Sequence, residues 1–162
     1  MDVSLPPFQA LLDSHRADVY CFLLATVGPN EADDCFQETW IAALRAYPRV
    51  RHGDNLRGWL LKIAQNKARD AHRARGRRAV PVDAVPDRGT RDAGIAAAQA
   101  DNPGLWARVR ALPEKQRLAV VHRTVLDTGY PELAEVLDCS EEAARRNVHE
   151  GLKRLRRELG DD

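Results

Sequence analysis

The chain has 162 residues, with 25 Lys and Arg against 24 Asp and Glu, for a formal net charge of +1. That length holds one ordinary domain or two small ones, and 44% hydrophobic residues exclude wholesale disorder. The longest apolar run is half a membrane span, the N-terminal MDVSLPPF lacks a secretory pattern, and Cys21, Cys35 and Cys139 form no C-x-x-C pair. The expectation is a cytoplasmic protein without membrane insertion, disulfide framework or zinc knuckle.

Helical spacing dominates over strict alternation, so the elements are expected to be helices. Phe8, Leu11, Leu12, Val19, Phe22 and Leu23 form a first buried stripe. Gly28-Pro29-Asn30 breaks the chain, and Asn30 is the expected N-cap of a second helix, with acids in its first turn. That helix carries Ala32, Cys35, Phe36, Thr39, Trp40, Ala43 and Leu44 mostly on one face and ends near Tyr47-Pro48. A short polar loop leads to Asp54 or Asn55, either of which can cap a third helix over 56–75.

Residues 79–104 change composition, with Pro81, Pro86, Pro103, Gly89 and Gly94, and read as a linker containing a short helix at 95–100. Beyond it, Leu105, Trp106, Val109 and Leu112 predict a helix stopped by Pro113. A second follows over 114–126, and a turn at Asp127-Thr128-Gly129 leads into a short helix over 131–137 opened by Pro131. Ser140 then caps a last helix whose apolar stripe is Ala144, Val148, Leu152, Leu155 and Leu159.

The near-zero net charge hides a strong asymmetry. Residues 1–40 carry about −6, residues 51–78 about +7, and Arg145, Arg146, Lys153, Arg154, Arg156 and Arg157 form a second basic cluster. Such a chain can hold a basic protein surface and a polyanion at once, although exposed charge often only solvates a helix face.

A short helix, a three-residue turn and a longer basic helix make a helix-turn-helix pattern. Its second helix presents Arg145, Arg146, Asn147, His149 and Lys153; Arg and Asn near its start suit base edges, and Lys153 and Arg154 suit phosphates. A helical hairpin with a solvated basic face is the alternative. Residues 55–73 form a basic amphipathic helix with Trp59 near its start. Trp59 is read first as a core anchor and second as a stacking platform for an unpaired base.

Three blocks carry a resemblance to a known family. Glu31-Ala-Asp-Asp-Cys-Phe-Gln-Glu-Thr-Trp resembles the region-two helix of extracytoplasmic-function (group 4) sigma factors of bacterial RNA polymerase. Gly58-Trp-Leu-Leu-Lys-Ile-Ala-Gln-Asn, through Asp70 and Arg73, resembles their promoter-melting helix. Leu112-Pro-Glu-Lys-Gln-Arg, Glu132-Leu-Ala-Glu-Val-Leu and Ser140 onward to Leu155-Arg resemble region four. The chain departs from the family pattern at Ala143, Ala144 and Glu150 and in the turn Asp127-Thr-Gly-Tyr-Pro.

The resemblance implies an all-α protein of two small helical domains: region two at 1–78, a flexible linker at 79–104, and region four at 105–162. It implies a promoter-specificity subunit whose partners are core RNA polymerase (the largest-subunit clamp and the flap), promoter DNA and an anti-sigma factor. Asp33, Asp34, Gln37 and Glu38 would meet the polymerase clamp. His52, Asn55, Arg57, Trp59, Lys62, Asn66, Arg69 and Arg73 would read and open the −10 element. Arg145, Arg146, Asn147, His149, Lys153 and Arg154 would read the −35 element. A stand-alone helix-turn-helix regulator and a sigma-like module that only sequesters a partner are the competing readings.

No catalytic set is apparent. The five histidines have no metal-ligand spacing, no Gly-rich phosphate loop is present, and Cys35 reads as a small core residue. Neither a cofactor nor a metal nor enzymatic activity is expected.

Overall fold

Seven α-helices and one 3₁₀ turn make up the regular structure of the described residues, and no strand occurs among them. The computed structural model describes residues 5–51, 53, 55–77 and 102–160. His52, most of the expected linker and the short helix at 95–100 lie outside that set.

Helix α1 (Phe8–Val27) starts directly after Pro7, which has no N–H to continue the helix backwards. Its expected single stripe is too narrow. Every residue from Val19 to Val27 is buried, because α1 lies between two groups of helices and has no solvent side there. Thr26 survives in that setting because its hydroxyl donates to the Phe22 carbonyl (2.8 Å).

Gly28 alone makes the turn into α2 (Pro29–Ala46), at φ 87° and ψ 171°. The helix therefore opens two residues earlier than an Asn30 cap requires, with Pro29 in its first turn, where a missing N–H costs nothing. Ala32, Cys35, Phe36, Thr39, Trp40 and Ala43 are buried as expected; Leu44 is not, and stands 56% exposed. A 3₁₀ turn (Tyr47–Arg49) ends the helix, and the Tyr47 hydroxyl donates to the Pro6 carbonyl. Helix α3 (Leu56–Arg77) is capped by Asn55, whose Oδ1 accepts from the Gly58 N–H (3.1 Å).

The second group comprises α4 (Pro103–Ala111), α5 (Glu114–Thr124), α6 (Tyr130–Leu137) and α7 (Glu141–Glu158). Asn102 caps α4, and Ser140 caps α7 by accepting from the Ala143 N–H (3.1 Å). The buried Arg117 of α5 donates to the carbonyls of Arg110 and Leu112 (3.2 and 3.0 Å), closing the C-terminal end of α4, where a cation is favoured. Helices α5 and α7 approach unusually closely at Gly151. A Cβ built there would stand 2.5 Å from Cγ2 of Val120.

The two groups share a core. Phe22, Leu23 and Leu24 of α1 and Leu60 and Leu61 of α3 belong to one buried cluster with Val109, Leu112, Leu118, Val120, Val121 and Leu126. Each such side chain contributes about 1.5–3 kcal/mol when fully buried, so the contact between the groups is more than incidental. A smaller cluster of Ala119, Leu133, Ala144 and Val148 holds α6 and α7 onto α5.

Candidate nucleic-acid and polymerase interface

Three surfaces carry the expected functional residues. The first is the outer face of α2. Helical spacing puts Asp34, Gln37, Glu38, Ile41 and Leu44 on one side, opposite the buried Cys35, Phe36, Thr39 and Trp40. Gln37 and Glu38 are exposed; Asp33 is half-buried, and its Oδ1 accepts from the Tyr20 hydroxyl (3.1 Å). Ile41 and Leu44, 50% and 56% exposed, extend the acidic patch with an apolar one. The sequence reading missed that extension, because Leu44 fits the edge of the apolar stripe. The Cys35 thiol is pushed up to about 12, first by burial and then by Glu31, Glu38 and Asp34, so it stays a neutral core group.

The second surface is α3, and its basic residues divide. Lys62, Asn66 and Arg73 are exposed. Arg57 is drawn into the contact between the helix groups. Its Nε donates to Asp18 Oδ2 (2.9 Å), its Nη2 donates to the Leu126 carbonyl (2.8 Å), and its Nη1 lies 3.6 Å from Glu132 Oε1. Arg69 Nε donates to Glu114 Oε1 (2.5 Å). Trp59 is half-buried against the core, its ring 6.2 Å from that of Tyr47, which agrees with the anchor reading. Asn55 spends its side-chain oxygen on the helix cap.

At the middle of this contact is a polar pair that sequence reasoning passed over. Gln65 Nε2 donates to the Val136 carbonyl and His122 Nε2 donates to Gln65 Oε1, each at 3.4 Å. The His122 ring lies 4.8 Å from that of Phe22. Burial, and then the nearby Arg57 charge, lower His122 to about 3, so the imidazole is neutral. The available signal was periodicity: Gln65 interrupts the stripe of Leu61, Ala64 and Ala68, and His122 that of Leu118 and Val125. His15 and His72 are likewise lowered, chiefly by burial; the His72 Nε2–H donates to the Thr26 carbonyl (2.6 Å).

The third surface is α7. Ala144, Val148, Gly151 and Leu155 are buried, and Arg146, His149 and Lys153 stand on the opposite side, exposed. Arg145 and Arg154 are exposed on the flanks, while Asn147 is half-buried. Ala144 is fully buried, so its departure from the family pattern serves packing. Glu150 is exposed on the flank next to Asn147.

Two family models match, Sigma-70 region 2 over residues 11–78 and Sigma-70 region 4 over residues 104–155. ECF RNA polymerase sigma factor SigD of Mycobacterium bovis is 35% identical over 159 residues, covering 92% of this chain and 75% of that protein. The chain belongs to the ECF RNA polymerase sigma factor family. CarQ of Myxococcus xanthus, also a sigma factor, is 31% identical over 160 residues, covering 95% of this chain and 90% of that one. Among solved structures, the sigma factor RpoE in complex with the anti-sigma factor NepR from Bartonella quintana matches with TM-score 0.74 at 21% identity, covering 96% of this chain and 98% of that one. CnrH in complex with the cytosolic domain of CnrY matches with TM-score 0.72 at 22% identity, covering 96% and 88%. Both likenesses are of fold. The protein is thus a sigma factor of two helical groups. No described helix of this sigma factor is long and apolar enough to cross a membrane.

Proposed function

We propose that this sigma factor divides its work among the three surfaces, as a non-catalytic subunit. The acidic face of α2, with Asp33, Asp34, Gln37 and Glu38, meets the polymerase clamp, and Ile41 and Leu44 supply apolar anchors beside them. The helix α3 and the loop before it, from His52 to Arg73, read and open the −10 element. The outward face of α7 reads the −35 element, with Arg145, Arg146, Asn147 and His149 toward bases and Lys153 and Arg154 toward phosphates. Residues 1–78 and 105–162 act as separate domains on the promoter, joined by 79–104.

One observation carries this reading: an acidic-apolar face on α2 and a basic face on α7 are both turned to solvent in the same molecule. A regulator acting without polymerase leaves the first of them unused. Because Arg57 and Arg69 are engaged by the second helix group, −10 reading requires that group to move off α3. An anti-sigma factor that stabilised the contact would hold the protein inactive, and the structural neighbour RpoE was solved with an anti-sigma factor, NepR.

Run-off transcription over a promoter library, with core polymerase alone and with this chain added, tests the assignment. Promoter-specific transcripts are expected only with the chain. Asp34→Lys with Glu38→Lys should weaken core-polymerase binding about tenfold or more, increasingly masked as salt rises. Unchanged affinity in a folded double variant would remove α2 from the interface.

A further inference from the structure

We propose that Tyr130 is a positioning residue for DNA recognition: its ring holds the Arg145 guanidinium in the orientation used at the −35 element. The inference rests on the assignment of α7 as the reading helix.

Tyr130 is the first residue of α6 and belongs to the turn in which this chain departs from its family. Its half-buried ring meets two guanidiniums. Cζ of Arg145, from α7, lies 4.8 Å from the ring centroid, and Cζ of Arg123, from the end of α5, lies at the same distance. Arg123 is itself fixed. Its Nη1 donates to the Thr128 carbonyl (3.4 Å) and stands 3.7 Å from Asp127 Oδ1, a residue in the left-handed region at φ 51°. The ring is thus held by its packing against the cluster of Ala119, Leu133, Ala144 and Val148 and by an anchored cation.

Arg145 has no carboxylate partner among the described residues; the ring is its contact. A long exposed arginine otherwise samples many rotamers, and ordering it upon binding opposes recognition. Contact with a ring restrains the guanidinium while its in-plane N–H donors remain available, and those donors make the bidentate pair with guanine. Arg145 lies on the flank of α7 facing α6, so a side chain supplied by α6 is what can hold it. Arg146 and Lys153, opposite the buried stripe, have no such ring contact among the described residues: they stand away from α6.

The test uses polymerase holoenzyme reconstituted with the full chain and a randomised −35 library. Arg145→Ala should flatten preference at one base position. Tyr130→Leu should reduce discrimination at that same position by roughly two- to fivefold, the range of an exposed cation–π contact. Tyr130→Phe should retain it, and the double variant Tyr130→Leu/Arg145→Ala should do no more than Arg145→Ala alone. If Tyr130→Leu weakens all sequences alike and leaves that position intact, the ring only packs, and the proposal falls while α7 keeps its role. If Arg145→Ala changes no base position, the assignment of Arg145 as a reader falls first and the proposal with it. Should Tyr130→Leu not fold, the wild-type chain still decides. NMR should show the Arg145 side-chain protons shifted upfield by the ring; unshifted resonances would overturn the contact.

Discussion

Helices α3 and α7 are both basic, both amphipathic and both expected to meet DNA, yet the fold treats them oppositely. On α7 the charged side faces solvent and the small apolar side is packed, so the helix is ready as it stands. On α3 the arginines nearest the core are turned toward the junction with the second helix group, where Arg57 has three oxygen partners, one of them on α1, and Arg69 a carboxylate. Positive charge on a helix thus fixes neither its partner nor its availability. A guanidinium at a boundary takes the nearest acceptors, and here those belong to Asp18, Leu126, Glu132 and Glu114 before any phosphate arrives.

The steepest penalty lies at the junction behind α3. His122→Arg would place a permanent cation where burial and Arg57 already hold the imidazole neutral, and leaving it unpaired should cost roughly 3–5 kcal/mol. Urea unfolding measures this; a variant as stable as the parent would show that the site admits water. Acid should act at the same place with a definite sign. His122 is depressed to about 3 from an ordinary 6.5, so above pH 6.5 both folded and unfolded forms are neutral there and nothing is lost. As the pH falls below 6.5, the unfolded form binds a proton that the folded form refuses, and stability declines until about pH 3. His15 and His72, also lowered, add in the same direction. Stability against pH should therefore have a shallower slope in His122→Leu than in the parent, and identical slopes would remove His122 from the account.

A smaller effect sharpens the contrast between the two helices directly. Arg57→Ala should lower stability by about 1–2 kcal/mol, because it strands the Leu126 carbonyl and two carboxylates. Arg146→Ala, on the exposed side of α7, should stay within about 0.5 kcal/mol. Equal losses in thermal unfolding would mean the helices are not used differently. The smallest change expected is at Lys153. Its alanine variant should bind all −35 sequences more weakly by a similar factor and lower the salt slope by about one unit, whereas Arg146→Ala should relax preference at particular bases. Base-dependent losses in Lys153→Ala would make it a reader of sequence.

Local signals in the sequence carried far. Ser140 followed by Glu141 and Glu142 announces the start of α7, and Asn55 that of α3, because caps depend on neighbours a few residues apart. The same locality explains the failures. Asn30 has the right chemistry for a cap, but the single-residue turn at Gly28 starts the helix before it. Leu44 sits where the stripe predicts burial, yet none of the described helices covers it. The partners of Arg57 lie 39, 69 and 75 residues away in sequence, and no spacing rule along one helix can nominate them. What could have been noticed was Gln65 and His122 interrupting apolar stripes, since a polar residue kept in a core position asks for a partner.

The contact at Gly151 fixes a dimension of the basic face of α7. With only a hydrogen there, the backbone of α7 can settle against Val120, and that depth sets how far Arg146 and Lys153 project beyond the body of the molecule. A methyl group would have to lift the helix or displace Val120, raising or tilting the whole basic face at once. A residue on the buried side of α7 thereby acts as a mounting shim for the proposed reading face, and a change there would alter promoter preference with every outward side chain unchanged.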